Sequence, residues 1–204
     1  MSGALHFLSL LCFALSLLSA SAPSVTSIAR TQPSPVTLAN TLKWRVTFTQ
    51  AVTGVALAEA YDASLGDKTK RLTALSVRNQ VGVDDAILIA GFVISGDVPK
   101  RVVVRGVGPG ISTVSGYLRD PQLQVWRLNT LVTPAKWELV GENDDWDHTA
   151  TTAALFKSVG MGELASDSKD AALVLTLEPG IYTAQVSGVG RTTGVGLAEI
   201  YEAP

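Results

Sequence analysis

The amino-acid sequence predicts an all-β protein: an antiparallel, jelly-roll-like β-sandwich carrying one short helix. Three observations lead there. Short apolar stretches with a period of two recur from Leu72 to Tyr201, bounded by turns rich in Gly, Pro, Asn and Asp. Within that stretch only Thr151–Gly160 reads as a helix, and an N-terminal signal helix lies outside it. Glycine, with 18 copies, and small or β-branched residues dominate the composition, which suits many short strands and tight turns. With 47% hydrophobic and 17% charged residues among 204, the chain is globular rather than disordered. A formal net charge of −2 is not basic enough to argue for nucleic acid, so no nucleic-acid partner is expected.

The chain opens on a targeting segment. The apolar core Phe7–Leu18 has 12 residues, short of the ~20 that a membrane-spanning helix needs. Residues 1–22 therefore read as a signal helix ending in the A-x-A-like site Ala20-Ser21-Ala22, with His6 the only basic group before the apolar core. A cut after Ala20 and a cut after Ala22 are both open. The mature protein is expected to be secreted, extracellular or at the cell surface, with no membrane contact after cleavage. The single cysteine, Cys12, lies inside this segment. The mature chain then has no disulfide, and its fold rests on its core alone.

Residues 23–55 hold two strand candidates, "SVTSIAR" and "LKWRVTF", separated by the turn-rich "TQPSPVTLAN". Val25–Arg30, Pro33, Trp44, Val46–Phe48 and Ala51–Val55 together resemble the opening of bacterial immunoglobulin-like modules. Such a module needs ~7 strands and ~100 residues, so this is a partial immunoglobulin-like strand pair.

Residues 71–204 supply the sandwich. "LTALSVR" comes first. "AILIAGFVISG" (Ala86–Gly96) is apolar on both faces, as a central strand would be. In "KRVVVRGVG" (Lys100–Gly108), Val102 and Val104 share one face while Arg101 and Arg105 share the other. "PQLQVWRL" and "WELVGE" continue the pattern. Thr149 is placed to cap the helix and Gly160 to stop it. "AALVLTLEPGIYTAQVSGVG" reads as a hairpin. Leu173, Leu175 and Leu177 alternate inward on one strand, and Tyr182, Ala184 and Val186 on the other, about a Pro179-Gly180 turn with glycine at positive φ. Leu175 and Val186 are expected to be fully buried on facing strands. Val195–Tyr201 closes the chain.

That ending occurs twice. "TGVALAEAYDA" (Thr53–Ala63) and "TGVGLAEIYEA" (Thr193–Ala203) agree at eight of eleven positions. Arg71–Ala203 is similar to a repeat module found in very large secreted proteins of environmental bacteria. The stretch from "ENDDWD" through "LEPGIYTAQVSG" is also similar to the bacterial pre-peptidase C-terminal domain, a β-sandwich attached to secreted enzymes. Neither resemblance implies catalysis by the module. In a tandem array, residues 56–70 are the tail of a preceding repeat and its linker. The chain is then a fragment of a larger repeat protein, joined at Thr53-Gly54-Val55. Val195–Tyr201, which follows directly from the strand before it, is expected to hold the sheet position. Val55–Tyr61 is expected at an edge or outside, where it invites self-association between chains.

Few residues offer chemistry. His148 is the only histidine after signal removal, which leaves no zinc site of the usual kind and no G-x-S-x-G elbow to serve. The glycine runs Gly106–Gly110 and Gly188–Gly194 lack G-x-G-x-x-G spacing and read as turns. The one constellation with ligand character is "ENDDWDH". Its Asn143, Asp144, Asp145 and Asp147 are hard oxygen donors on a loop, as weak calcium sites require. The same residues also serve structure, with Asn143 and Asp144 closing Asx turns and Asp147 near a helix N-terminus. Apart from calcium no cofactor is expected. The expected function is a non-catalytic structural or adhesive module contacting other protein modules or cell-surface components. The alternative is a carbohydrate-binding or calcium-stabilised accessory module. The scatter of Trp44, Trp126, Trp137 and Trp146 over different elements weighs against a sugar platform, which wants aromatics on one surface.

Overall fold

The computed structural model describes residues 25–30, 44–48 and 73–204. The signal segment with Cys12, the linker, and the first copy of the repeated ending, Val55–Tyr61, lie outside the described residues. The chain divides into two units, Met1–Tyr61 and Asp62–Pro204. In the first, strands β1 (Val25–Arg30) and β2 (Trp44–Phe48) pair antiparallel, Arg30 opposite Trp44, with a bulge between Val25 and Ser27.

The second unit is the sandwich. Its strands are β3 (Ala74–Val81), β4 (Leu88–Ile94), β5 (Lys100–Val107), β6 (Pro121–Asn129), β7 (Lys136–Asn143), β8 (Ala171–Leu177), β9 (Gly180–Gly188) and β10 (Gly194–Glu202). One helix, α1 (Ala150–Ser158), lies between β7 and β8. The first sheet has the order β3-β10-β5-β8 and the second β4-β9-β6-β7, with every pair antiparallel. Strands consecutive in sequence lie in opposite sheets, except the β6–β7 hairpin. That is the jelly-roll order, as the sequence predicts.

The topology departs from the sequence-based expectation at two places. The Pro179-Gly180 turn does not make a hairpin, because β8 belongs to the first sheet and β9 to the second. The turn carries the chain across the core from one sheet to the other. The glycines with positive φ among the described residues are Gly96, Gly116, Gly160 and Gly190, and Gly180 is not one of them. Leu175 is accordingly half-buried near the sandwich margin, while Val186 is fully buried. The second correction concerns β4, which is an edge strand and not a central one. Its alternation is real, since Leu88 and Ala90 are buried while Ile89 and Val93 face solvent.

The main core lies between the sheets and is built from Val102, Val104, Leu123, Tyr182, Val186 and Ile200 with their neighbours. Phe92 stacks on its cross-strand partner Tyr182 at 5.4 Å between ring centres. A second core covers the outer face of the first sheet. There Val103 packs with Trp146, Phe156, Met161 and Ala203, and α1 forms the lid. Thr149 caps α1 by accepting from Thr152 N–H at 3.1 Å. Gly160, at φ 82°, ends it with paired bonds from Gly160 N–H to Lys157 O and Met161 N–H to Phe156 O. Arg105 and Glu199 are cross-strand partners on β5 and β10, buried in this second core. The Arg105 guanidinium donates to both the Glu199 carboxylate and Gly162 O, and lies over the Phe156 ring at 4.9 Å.

Two glycines let the chain cross itself. The segment leading into β6 passes over the ends of β5 and β10, where Leu118 N–H donates to Val195 O and Val195 N–H donates to Gly116 O. A Cβ at Gly108 would lie 1.9 Å from Leu118 O, and one at Gly194 would lie 2.6 Å from Leu118 N. The Gly-Val pair of the repeated ending thus has a steric reason in its C-terminal copy.

Candidate functional site

The acidic loop is largely engaged in holding the fold. Asn143 Oδ1 accepts from Ala172 N–H at 2.9 Å, and Asn143 Nδ2 donates to Asp145 O. This bond ties the edge strand β8 to the end of β7. The Asx-type turn belongs to Asp147 rather than to Asn143 or Asp144. Asp147 Oδ1 accepts from Thr149 N–H and Thr149 Oγ1, both at 3.0 Å, and Asp147 Oδ2 from Thr152 Oγ1 at 2.7 Å. Partial burial alone would raise the Asp147 carboxyl, but these hydrogen bonds outweigh it and hold the group below its ordinary pKa. Asp145 lies 3.8 Å from Lys169 Nζ, and Asp144 faces solvent.

Among the described residues no three His, Cys, Asp or Glu side chains gather as a metal site. An open depression of about 440 Å³ does run between this loop, the first turn of α1 and β8. The Asp147 and Asn143 atoms on its wall are already bonded as described. Calcium at millimolar concentration is therefore expected to leave the melting temperature unchanged, in wild type and in Asp145→Ala alike. A rise of several degrees that Asp145→Ala abolishes would make this loop a metal site.

His148, at φ 54°, leans its ring on Trp146 at 4.8 Å between ring centres. Trp146 is a core plug, 3% exposed. The glycine run Gly106–Gly110 cradles the protein's own carboxylate. Gly108 N–H and Gly110 N–H both donate to Asp170 Oδ1, at 2.7 and 3.1 Å, and Asp170 is fully buried.

The surface with ligand character is one that sequence reasoning missed. It is the outer face of the second sheet, where antiparallel register sets side chains in rows across the strands. In the middle row Gly91 lies opposite Thr183, Thr183 opposite Trp126, and Trp126 opposite Leu139. On one side Val93 lies opposite Ile181, and Leu128 opposite Trp137. On the other side Ile89 lies opposite Gln185, Gln185 opposite Gln124, and Gln124 opposite Glu142. Val93 is 64% exposed, Ile89 50% and Trp137 46%. Leu131 and Val98, both exposed, sit in the loops at the Val93 end of the same sheet.

Trp126 and Trp137 are therefore diagonal neighbours on one face, and their separation along the chain is no measure of scatter. A bulge in β7, with the register shifting between Val125 and Trp126, sets this pairing. A signal was present, since "QLQVWRL" puts Gln122, Gln124 and Trp126 on one face and "KWEL" puts Trp137 and Leu139 on one face. Pairing the two stretches as a hairpin would have joined them.

The fold and this face define a jelly-roll β-sandwich with one sheet covered by a helix and the other open to solvent. Compared with known protein families and with curated proteins, the chain matches no family model and no curated sequence.

Proposed function

We propose that the chain is a non-catalytic adhesive module of a secreted or cell-surface protein, and that the outer face of the second sheet is its contact surface. One observation carries the reading. Val93 and Ile181 are exposed cross-strand partners on β4 and β9, Trp137 and Leu139 are exposed on β7, and the half-buried Leu128 and Trp126 of β6 between them lie opposite the β7 pair. An extended apolar surface of this kind marks interaction sites. The signal-like residues 1–22 support export. No helix of the described residues is long and apolar enough to cross a membrane. The similarity of Arg71–Ala203 to repeat modules of large secreted bacterial proteins supports an origin in such an array. The repeated ending supports it as well.

A single preparation of the exported full chain tests this. Its N-terminus is expected at Ser21 or Pro23, and it should sediment with cell envelopes. The Val93→Ser/Trp137→Ser variant, with an unchanged circular dichroism spectrum, should stay in the soluble fraction. A chain still beginning at Met1 defeats the export argument. Equal partition of variant and wild type defeats the contact face.

A further inference from the structure

We infer that the open face binds a neutral polysaccharide chain laid across the strands, along the row Gly91, Thr183, Trp126 and Leu139. The inference rests on the contact-face reading and adds the ligand class.

The two sides of this row differ in chemistry. One side is apolar, with Val93, Ile181 and Trp137. The other carries the amides of Gln185 and Gln124, with Ile89 at its β4 end. A pyranose ring has the same division, with C–H faces that lie on indole rings and edge hydroxyls that both donate to and accept from amides. Thr183 Oγ1 lies within the row and already meets Gln185 Nε2 at 3.5 Å, a long contact that a sugar hydroxyl would replace. Adjacent strands are ~4.8 Å apart, so four of them give the row a length of about 15 Å, the span of a short oligosaccharide.

Charge narrows the class. The three rows contain no Lys or Arg, and their one acid, Glu142, accepts from Gln124 Nε2 at 3.3 Å at the β7 rim. An anionic glycan, a phosphate or an acidic lipid surface would find no cation here. A basic peptide would find one carboxylate at the margin. The complement of a neutral face is a neutral, hydroxyl-rich chain.

Gly91 gives an independent observation. A Cβ at this position would have nothing closer than Tyr182 O at 4.0 Å. Its φ is not positive. Packing and backbone would both accept a side chain there, and glycine weakens a strand. What the missing side chain does provide is an unobstructed end to the middle row, between Ile89 and Val93.

The test is affinity electrophoresis of the full mature chain in native gels. The gels contain hydroxyethylcellulose, xyloglucan, galactomannan or soluble starch, with alginate as the anionic comparison. At least one neutral polymer should retard the chain and alginate should not. Gly91→Val, which blocks the row, and Trp126→Ala should weaken retardation tenfold or more. Thr183→Val should weaken it as well, and keeps the test open if Trp126→Ala fails to fold. Thermal melts of each variant confirm that the fold is kept. Several results would overturn the glycan. These are no retardation by any neutral polymer, retardation by alginate alone, and retardation that Gly91→Val and Thr183→Val leave unchanged. If the chain shows no retardation but Val93→Ser/Trp137→Ser still releases it from envelopes, the contact face stands and its partner is a protein. If sedimentation shows a dimer that Gly91→Val dissolves, without glycan binding, the occupant is a second copy.

Discussion

Glu199→Ala should cost the folded chain about 3–5 kcal/mol, because it leaves the Arg105 guanidinium buried without its counter-charge. The two groups meet inside the apolar lid under α1, where Arg105 is 2% exposed and Glu199 6%. Water cannot take the place of the lost carboxylate without opening the Phe156 and Trp146 contacts. Gly162 O and the Phe156 ring remain as partners, but neither is an anion. Removing both charges in Arg105→Met/Glu199→Leu should recover most of the loss, since a well-packed apolar pair escapes the desolvation penalty. Urea denaturation, read at equal m-values, decides it. A loss below ~1 kcal/mol in Glu199→Ala would mean that the second core admits water.

Among the glycines of the described residues, Gly108→Ala should be the most damaging added methyl. Its Cβ would stand 1.9 Å from a backbone carbonyl oxygen, that of Leu118, and no rotamer change can relieve a clash with backbone. The crossing segment that bonds Val195 would have to lift, and Gly108 N–H would lose its bond to buried Asp170. Losses above ~4 kcal/mol belong to this kind of event, so little folded protein should be recovered. Gly162→Ala is the comparison. Nothing lies within 4 Å of a Cβ there and φ is not positive, so stability should stay within ~0.5 kcal/mol. Equal yields and equal melting temperatures for the two variants would show that the crossing is loosely held.

The parts of this fold that were legible in the sequence are those written in local spacing. The alternation of Val102 and Val104 against Arg101 and Arg105 identified β5 and its two faces. Thr149 and Gly160 marked both ends of α1 because capping is a matter of three or four residues. What escaped was pairing at a distance. A Pro-Gly turn between two alternating strands looks the same whether the second strand returns beside the first or crosses to the other sheet. Apolar residues on both faces of β4 imitate a central strand, although half of them meet solvent at an edge. Arg105 and Glu199 are 94 residues apart, and no period connects them. The calcium loop and the open face illustrate the same division. Four oxygen-bearing residues in five positions are conspicuous in sequence, yet the fold spends most of their bonding on its own backbone and helix cap. Trp126 and Trp137 are inconspicuous, and register brings them onto one surface.

The pairing of β3 with β10 has a mechanical consequence. Ala74, where the sandwich begins, lies directly opposite Tyr201, where it ends, and Glu202 N–H donates to Thr73 O just beyond. Entry and exit are side by side at one pole. Tension drawn through the two ends would load the hydrogen bonds between these strands one after another, from that pole inward, like a zip fastener. It would not load them all at once, as it would if the ends left from opposite poles. A module built this way hangs to the side of the line of force. It would give way early when pulled along the chain.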